Sequence, residues 1–221
     1  VREACELLQK STEAFTHREV KRAGLAISKK RMFVPRKPLF LRHDLTAKII
    51  AAAIKEEQRA EAMLYLTCYV FLLRMPSEAL PMVKGSGGAD HGEHSVIYMG
   101  INCIYLKLAS RKNRPHGSLL KRSCWCAQCP ATCPVHVLGK FVLSLPPGSK
   151  PFKRFEGRCL KLLRQRLLAL EVDKASVYRT HDFRRGHARD LQARGASLAV
   201  ILAAGEWRSP AFLQYLDKHQ L

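Results

Sequence analysis

The stretch THDFRRGHARDLQARGASLAVILAAGEWRSPAFLQYL, residues 180–216, decides the fold class of this chain. Its polar and glycine residues divide it into helices. Thr180 can cap a first helix that Gly195 ends, and Ser197 can cap a second that Gly205 ends. Ser209-Pro210 then opens a last helix, because proline is favoured at the first helical position. The carboxy-terminal part of the chain is therefore predicted to be helical throughout.

The same stretch carries four side chains with distinctive chemistry at defined spacings. His181 and Arg184 lie one helical turn apart, Trp207 follows 23 residues after Arg184, and Tyr215 comes eight residues after Trp207. A His-x-x-Arg pair alone is common by chance. The chain holds only two Trp and six Tyr, however, so the ordered set is a specific signal.

The rest of the chain predicts more helices and a small sheet. Helical periodicity runs from about residue 46 to 54, from Arg59 to Leu73, and from Pro151 to Leu170, where apolar and basic residues take opposite sides. Between residues 96 and 124 apolar and polar residues alternate, and a Pro- and Gly-containing stretch at 110–117 predicts a hairpin turn. The predicted class is mainly α with a small antiparallel β-sheet.

In the order of these residues the chain resembles the catalytic domain of the tyrosine recombinase, or phage-integrase-like, family. The resemblance covers about residues 40–217 and implies that family's catalytic-domain fold. It also implies a catalytic set of an early Arg, a hairpin Lys, His-x-x-Arg, a Trp and a nucleophilic Tyr. In this sequence these are Arg74, Lys112, His181, Arg184, Trp207 and Tyr215. Lys112 is placed least firmly, because Lys107 and Arg111 lie close to it.

The chemistry implied by the resemblance explains these residue types. Tyr215 would attack a DNA phosphodiester, with His181 as its base or the helper of that base. The two arginines would stabilise charge on the phosphorane oxygens, and Lys112 would protonate the departing 5′ oxygen. The chain is thus predicted to be a site-specific DNA recombinase or integrase of a mobile element. It would act through a 3′-phosphotyrosine intermediate, without ATP or a catalytic metal.

Two alternatives to this function stay open at the level of sequence. A type IB topoisomerase resembles the family in fold and mechanism. That family tends to have Lys where His181 stands and His where Trp207 stands, so the sequence favours it less. A domesticated DNA-binding module without catalysis is the other alternative.

The cysteine-rich insert at residues 124–136 lies outside the general family pattern. The spacing Cys126-x2-Cys129-x3-Cys133-x2-His136 could wrap one tetrahedral Zn²⁺, with Cys124 an alternative to Cys126. Reduced, partly buried cysteines without metal are the other interpretation. In this Cys/His cluster the chain also resembles the eukaryotic mobile-element recombinases called Cryptons. Any zinc would be structural, because the chemistry above uses no metal.

The domain boundary is predicted near residue 37. Residues 1–37 are strongly basic and end in the Pro-marked segment Val34-Pro-Arg-Lys-Pro38, which is typical of an interdomain linker. We expect them to be the remnant of an N-terminal DNA-binding domain plus its linker, and residues 38–221 to be the catalytic domain. The chain does not begin with Met, so we expect a fragment of a longer protein.

The charge of the chain predicts its partner. Its 38 Lys and Arg against 18 Asp and Glu give a net charge of +20, which attracts polyanions, chiefly nucleic acid. We expect double-stranded DNA as the partner, assembly as a homo-oligomer (a tetramer) on that DNA, and no association with a membrane. The location is predicted to be intracellular, and nuclear if the source is a eukaryote.

Overall fold

The computed structural model describes residues 20–23, 25, 38–86, 93–111, 114–208 and 210–217. The chain divides between Lys37 and Pro38 into two units. The elements below all belong to the second unit. The assignment of residues 1–37 to a DNA-binding domain stays a prediction.

Six α-helices of the second unit carry most of its core. They are α1 (His43–Lys55), α2 (Arg59–Val70), α3 (Gly139–Leu143), α4 (Cys159–Ala169), α5 (Asp182–Ala193) and α6 (Leu198–Gly205). Short 3₁₀ or π turns connect them at Met75–Ala79, Pro130–Thr132, Pro134–Leu138, Lys153–Phe155, Ala175–Val177 and Pro210–Tyr215. Within this description no helix is long and apolar enough to span a lipid bilayer.

Two helices differ from the sequence prediction. The predicted helix at Pro151–Leu170 begins only at Cys159, because Gly157 takes a left-handed conformation at φ 69° that interrupts helical geometry. The last predicted helix is instead a 3₁₀ turn, Pro210–Tyr215.

A four-stranded sheet lies in the order β1-β2-β3-β4. The strands are β1 (Val83–Lys84), β2 (Val96–Gly100), β3 (Cys103–Leu108) and β4 (Ser118–Ser123). Strands β2, β3 and β4 are antiparallel, and Leu106 faces Leu120 in the register of β3 and β4. The short β1 pairs with β2 in parallel, so the sheet is mixed rather than wholly antiparallel.

The buried side chains form two clusters, and the second is central to the site. The larger one joins α1, α2 and α4 to the sheet, and α2 is buried on nearly all sides. The smaller one contains Leu72, Ala188, Ile201, Phe212, Tyr215 and Leu216. It fixes the carboxy-terminal 3₁₀ turn against α5 and α6.

Helix α5 is held close to the segment that precedes α1. The backbone N–H of Leu41 donates to the carbonyl of Asp182 at 3.0 Å. A Cβ at Gly186 would lie 1.9 Å from the Leu41 carbonyl oxygen, so only glycine fits there. This contact fixes the start of α5, where His181 and Arg184 lie.

Candidate active site

Tyr215 and His181 lie within reach of one another. Tyr215 ends the Pro210–Tyr215 turn and is only 8% exposed. Its hydroxyl lies 3.2 Å from Nε2 of His181, which caps the start of α5. The two rings meet edge to face, with centroids 5.9 Å apart. The two residues are 34 positions apart in sequence, so the fold itself creates this contact.

The surroundings of His181 keep its imidazole neutral. Burial, together with the nearby cations of Arg185, Arg184 and Arg74, lowers the pKa of His181 to about 3. A neutral imidazole has one ring nitrogen that can accept a proton. Nε2 can therefore accept a hydrogen bond from the Tyr215 hydroxyl at neutral pH.

Arg184 lies one helical turn after His181 and is almost fully buried. Its Nη1 donates to the carbonyl of Leu72, and its Nη2 donates to the carbonyl of Gly205 at 2.6 Å. Its Nε has no hydrogen-bond partner among the described residues. Burial and the charge of Arg111 lower the pKa of Arg184 to about 9, so the group remains a cation at pH 7. The guanidinium thus keeps N–H groups beyond those bonded to the two carbonyls.

The ring of Trp207 contacts both Arg184 and Tyr215. The guanidinium carbon of Arg184 lies 4.5 Å from the centroid of the Trp207 ring, within cation–π range. The same ring meets Tyr215 edge-on at 5.9 Å and stacks on Phe212 at 5.7 Å. A Cβ at Gly205 would lie 2.1 Å from the Trp207 ring, so glycine is required where the indole folds back on α6.

Arg74 stands at the end of α2, beside a carboxylate that orients it. Its Nη1 lies 3.3 Å from Oε1 of Glu78, and Oε2 of Glu78 accepts from the Arg74 backbone N–H at 2.9 Å. The arginine side chain is 30% exposed, while Glu78 is buried. Arg74 shares Glu78 with the buried Arg111, and its charge contributes to the lowered pKa values of His181 and Arg184.

Lys112 lies outside the described residues, so its role stays a prediction. The residues on either side of the hairpin tip pair with each other, since Arg111 and Arg114 form an isolated antiparallel bridge. The predicted hairpin turn is therefore present between β3 and β4, near the buried Arg111.

Two arginines near the site have contacts that the sequence did not predict, although Arg111 had been noted as a neighbour of Lys112. Arg111 is 7% exposed and forms ion pairs with Glu78 and Glu206. Arg122 is partly buried and donates to the backbone carbonyls of Val70 and Ala204. In the sequence Arg111 lies in a predicted turn and Arg122 in a predicted strand, and both positions are equally typical of a solvent-exposed arginine.

The cysteine-rich insert forms a compact group of soft ligands. Cys124, Cys126, Cys133 and His136 bring three Sγ atoms and one ring nitrogen within 4.8 Å of one another. Nδ1 of His136 lies 3.0 Å from Sγ of Cys126 and 3.4 Å from Sγ of Cys124. Sγ of Cys133 lies 3.6 Å from Sγ of Cys124. Such a group could hold a metal ion.

This group differs from the predicted ligand set in one member. Cys124 belongs to the group in place of Cys129. The backbone N–H of Cys129 donates to the carbonyl of Trp125 at 2.7 Å, which closes a tight turn. Its thiol accepts from Nη2 of Arg194 at 3.9 Å and lies apart from the other three ligands.

Comparisons with known proteins bear on the fold. A scan against protein-family models gives no match, and a search of curated proteins gives none either. Among the solved structures that match is the XerH site-specific recombinase bound to its difH substrate in a pre-cleavage complex. It has a TM-score of 0.53 and 14% sequence identity. The match covers 81% of this chain and 50% of the XerH chain, so this protein spans about half of that structure.

This match and the mainly helical architecture with its four-stranded sheet confirm the predicted fold class. The chain has the tyrosine recombinase catalytic-domain fold.

Proposed function

We propose that this protein is a site-specific DNA recombinase that breaks and rejoins DNA through a 3′-phosphotyrosine at Tyr215. The observation that carries the proposal is the 3.2 Å approach of the Tyr215 hydroxyl to Nε2 of His181, beside a buried Arg184. A packing tyrosine needs neither a neutral imidazole at its hydroxyl nor a buried guanidinium on the far side of the indole that its ring contacts. A nucleophile that attacks a phosphodiester needs both.

The first step follows from this geometry. His181 takes the proton of the Tyr215 hydroxyl, and the tyrosine oxygen forms a bond to phosphorus. The bond from phosphorus to the 5′ oxygen breaks, and that oxygen takes a proton, for which we propose Lys112 as donor. Rejoining reverses these steps with a new 5′ hydroxyl as nucleophile. The phosphotyrosine keeps the energy of the broken ester, so this chemistry uses neither ATP nor a catalytic metal.

Binding of DNA would itself prepare the base. The positive charges of Arg185, Arg184 and Arg74 help to lower the pKa of His181 in the free protein. A phosphodiester bound between the arginines brings a negative charge that offsets them. The pKa of His181 then rises toward its ordinary value, and the imidazole becomes a stronger base where the substrate is present.

Double-stranded DNA is the proposed partner, and a tetramer on DNA the proposed assembly. The net charge of +20 supports a polyanionic partner. The similarity to a site-specific recombinase bound to its substrate supports the same kind of partner here. We propose that the protein acts inside the cell, and in the nucleus if its source is a eukaryote.

The test of this function is covalent capture of DNA. A pool of nicked duplexes with a randomised segment traps the covalent intermediate, because the fragment released at the nick diffuses away. We expect the wild type to enrich a subset of sequences as denaturation-resistant adducts and Tyr215→Phe to form none, although both bind DNA. Adducts with no enriched sequence would point to a topoisomerase, and DNA binding without any adduct to a non-catalytic module. Either result would refute the proposal.

We also propose that the group Cys124, Cys126, Cys133 and His136 binds zinc as a structural ion. Tetrahedral zinc with bonds of about 2.3 Å to sulfur holds its ligand atoms about 3.7 Å apart. Four of the six pairs of ligand atoms here lie 3.0 to 3.6 Å apart, and all of them lie within 4.8 Å. The thiol of Cys133 favours the thiolate form. Burial raises its pKa, but hydrogen bonds from the backbone N–H groups of His136 and Trp125 outweigh burial and lower the pKa to about 6.

Bound zinc would fasten the end of β4 to the segment before α3. Elemental analysis should find about one zinc per chain in the wild type. Cys126→Ser should lose it, while Cys129→Ser and the buried control Cys159→Ser should keep it. Retention of zinc by Cys126→Ser with loss in Cys129→Ser would refute this ligand set. Metal-free, stable wild-type protein would refute the zinc itself.

A further inference from the structure

Two chain segments meet behind the active site, and both end in strained backbone. The first is residues 70–72 at the end of α2, where buried Leu72 takes the left-handed conformation at φ 51°. The second is residues 204–206 at the end of α6, where Glu206 does so at φ 52°. Such a conformation is unfavourable for a non-glycine residue, so surrounding contacts must hold it. We name these the two carbonyl segments.

Arg184 reaches the active site between these segments. It donates to one carbonyl of each, that of Leu72 and that of Gly205. Among the described residues it forms no ion pair with a carboxylate. Its position therefore depends on where the two carbonyl segments lie relative to each other.

Arg122, at the end of β4, bridges the same two segments. Its Nε donates to the carbonyl of Val70 at 2.8 Å, and its Nη2 donates to that of Ala204 at 3.4 Å. Its guanidinium carbon lies 5.3 Å from the ring centroid of Phe71.

Arg111, at the hairpin tip, forms a third bridge. Its Nη2 donates to the carbonyl of Leu72 at 3.0 Å, and its Nη1 contacts Oε2 of Glu206 at 2.8 Å. Its Nε donates to Oε1 of Glu78, the carboxylate that orients Arg74. Arg111 thus connects the surroundings of both phosphate-binding arginines.

We propose that Arg111 and Arg122 are positioning residues that hold the two carbonyl segments together and so aim Arg184 at the scissile phosphate. The inference rests on the proposed function. Only the planar guanidinium offers several rigidly spaced donors, which lets one side chain reach carbonyls on two segments. Lysine keeps the charge but not this fork.

The charge of the cluster supports a functional reason for using arginine. Within the described part of the chain, Arg74, Arg111, Arg122 and Arg184 face the carboxylates of Glu78 and Glu206 alone, which leaves two positive charges among these six residues. Burial and the charge of Arg111 lower the pKa of Arg122 to about 10, a sign that these cations are held together against repulsion. A phosphorane with two negative charges matches the excess.

The experiment compares cleavage of two nicked substrates under single-turnover conditions. One carries the ordinary phosphodiester, and the other carries a methylphosphonate, whose methyl group removes the charge that Arg184 must meet. The variants are Arg122→Lys and Arg111→Lys. The matched control is Arg166→Lys, because Arg166 is also buried and ion-paired, but with Glu61 and Glu56 and not with the carbonyl segments.

We expect both variants to cleave the phosphodiester about 10- to 100-fold more slowly, because a misplacement of about 1 Å has an effect of that size. The loss on the methylphosphonate should be only a few-fold, and DNA affinity should be unchanged. Arg166→Lys should cleave both substrates at the wild-type rate. Cleavage at the wild-type rate by Arg122→Lys, or equal losses on both substrates, would overturn the positioning role. Failure of the wild type to cleave would instead refute the proposed function.

Discussion

Substitution of Gly205 by alanine tests whether the position of Trp207 governs the site. The added methyl would lie 2.1 to 2.4 Å from three carbons of the Trp207 ring. Carbon atoms in contact prefer about 3.5–4.0 Å, so the ring must move by roughly 1.5 Å. The ring centroid now lies 4.5 Å from the Arg184 guanidinium carbon, and such a shift takes it to the limit of cation–π attraction.

Two unfavourable effects and one favourable effect set the change in stability. Overpacking costs about 1–3 kcal/mol, and loss of the cation–π contact adds about 1 kcal/mol. Alanine in a helix regains about 1 kcal/mol relative to glycine. We therefore expect Gly205→Ala to lower the free energy of unfolding by about 2 kcal/mol in urea denaturation. Cleavage should fall about 100-fold, since Trp207 contacts both Arg184 and Tyr215.

A control variant and a double-mutant comparison separate the displacement of the Trp207 ring from a general loss of stability. Ala203 lies on the exposed side of α6, so Ala203→Gly should lower the free energy of unfolding by about 1 kcal/mol without slowing cleavage. In a Trp207→Leu background the ring is gone, so adding Gly205→Ala should change the cleavage rate little. A full further loss in that background would refute the reasoning, because no ring would remain to be displaced.

Three further predictions concern stability and DNA binding. Burial lowers the pKa of His187 to about 3, so below pH 6.5 the unfolded chain binds a proton that the folded protein does not. The contribution of neutral His187 to stability is thus fully present above about pH 6.5 and is lost as the pH falls toward 3. The loss due to His187 is about 2 kcal/mol between pH 7 and 5, and His187→Asn should lack it in urea titrations. Glu206→Gln should lower the free energy of unfolding by about 2 kcal/mol, because it leaves buried Arg111 with one carboxylate fewer; an unchanged urea midpoint would contradict this. DNA affinity should fall steeply between about 50 and 200 mM salt, and charge reversal at Lys153, Arg154 and Lys161 should weaken binding to all sequences alike. A flat salt response would argue against DNA.

The sequence predicted the parts of the site that depend on local spacing and rare residue types. His181 and Arg184 lie one helical turn apart, and the structure brings both to Trp207 and Tyr215. The roles of Arg111 and Arg122 could not be predicted. Their partners lie far away in sequence, such as Glu206 at 95 positions from Arg111 and Ala204 at 82 from Arg122.

In the cysteine-rich insert, too, the local pattern was predictable from the sequence, whereas the three-dimensional arrangement was not. Cysteine spacing predicted three of the four members of the group, and it treated Cys124 as an alternative to Cys126. It did not predict that Cys124 would take the place of Cys129, because the tight turn from Trp125 to Cys129 decides which thiols face His136. The start of α4 was misplaced for a related reason. Apolar periodicity continues through Gly157, whose left-handed backbone interrupts the helix.

The central claim is that Tyr215 is the nucleophile, and location of the DNA adduct tests it most directly. Wild-type protein trapped on a nicked duplex is digested with nuclease and protease, and the modified peptide is sequenced by mass spectrometry. We predict a nucleotide attached to Tyr215 through its 3′ phosphate, and no adduct from Tyr215→Phe. A nucleotide on any other residue, or an attachment through a 5′ phosphate, would contradict the mechanism.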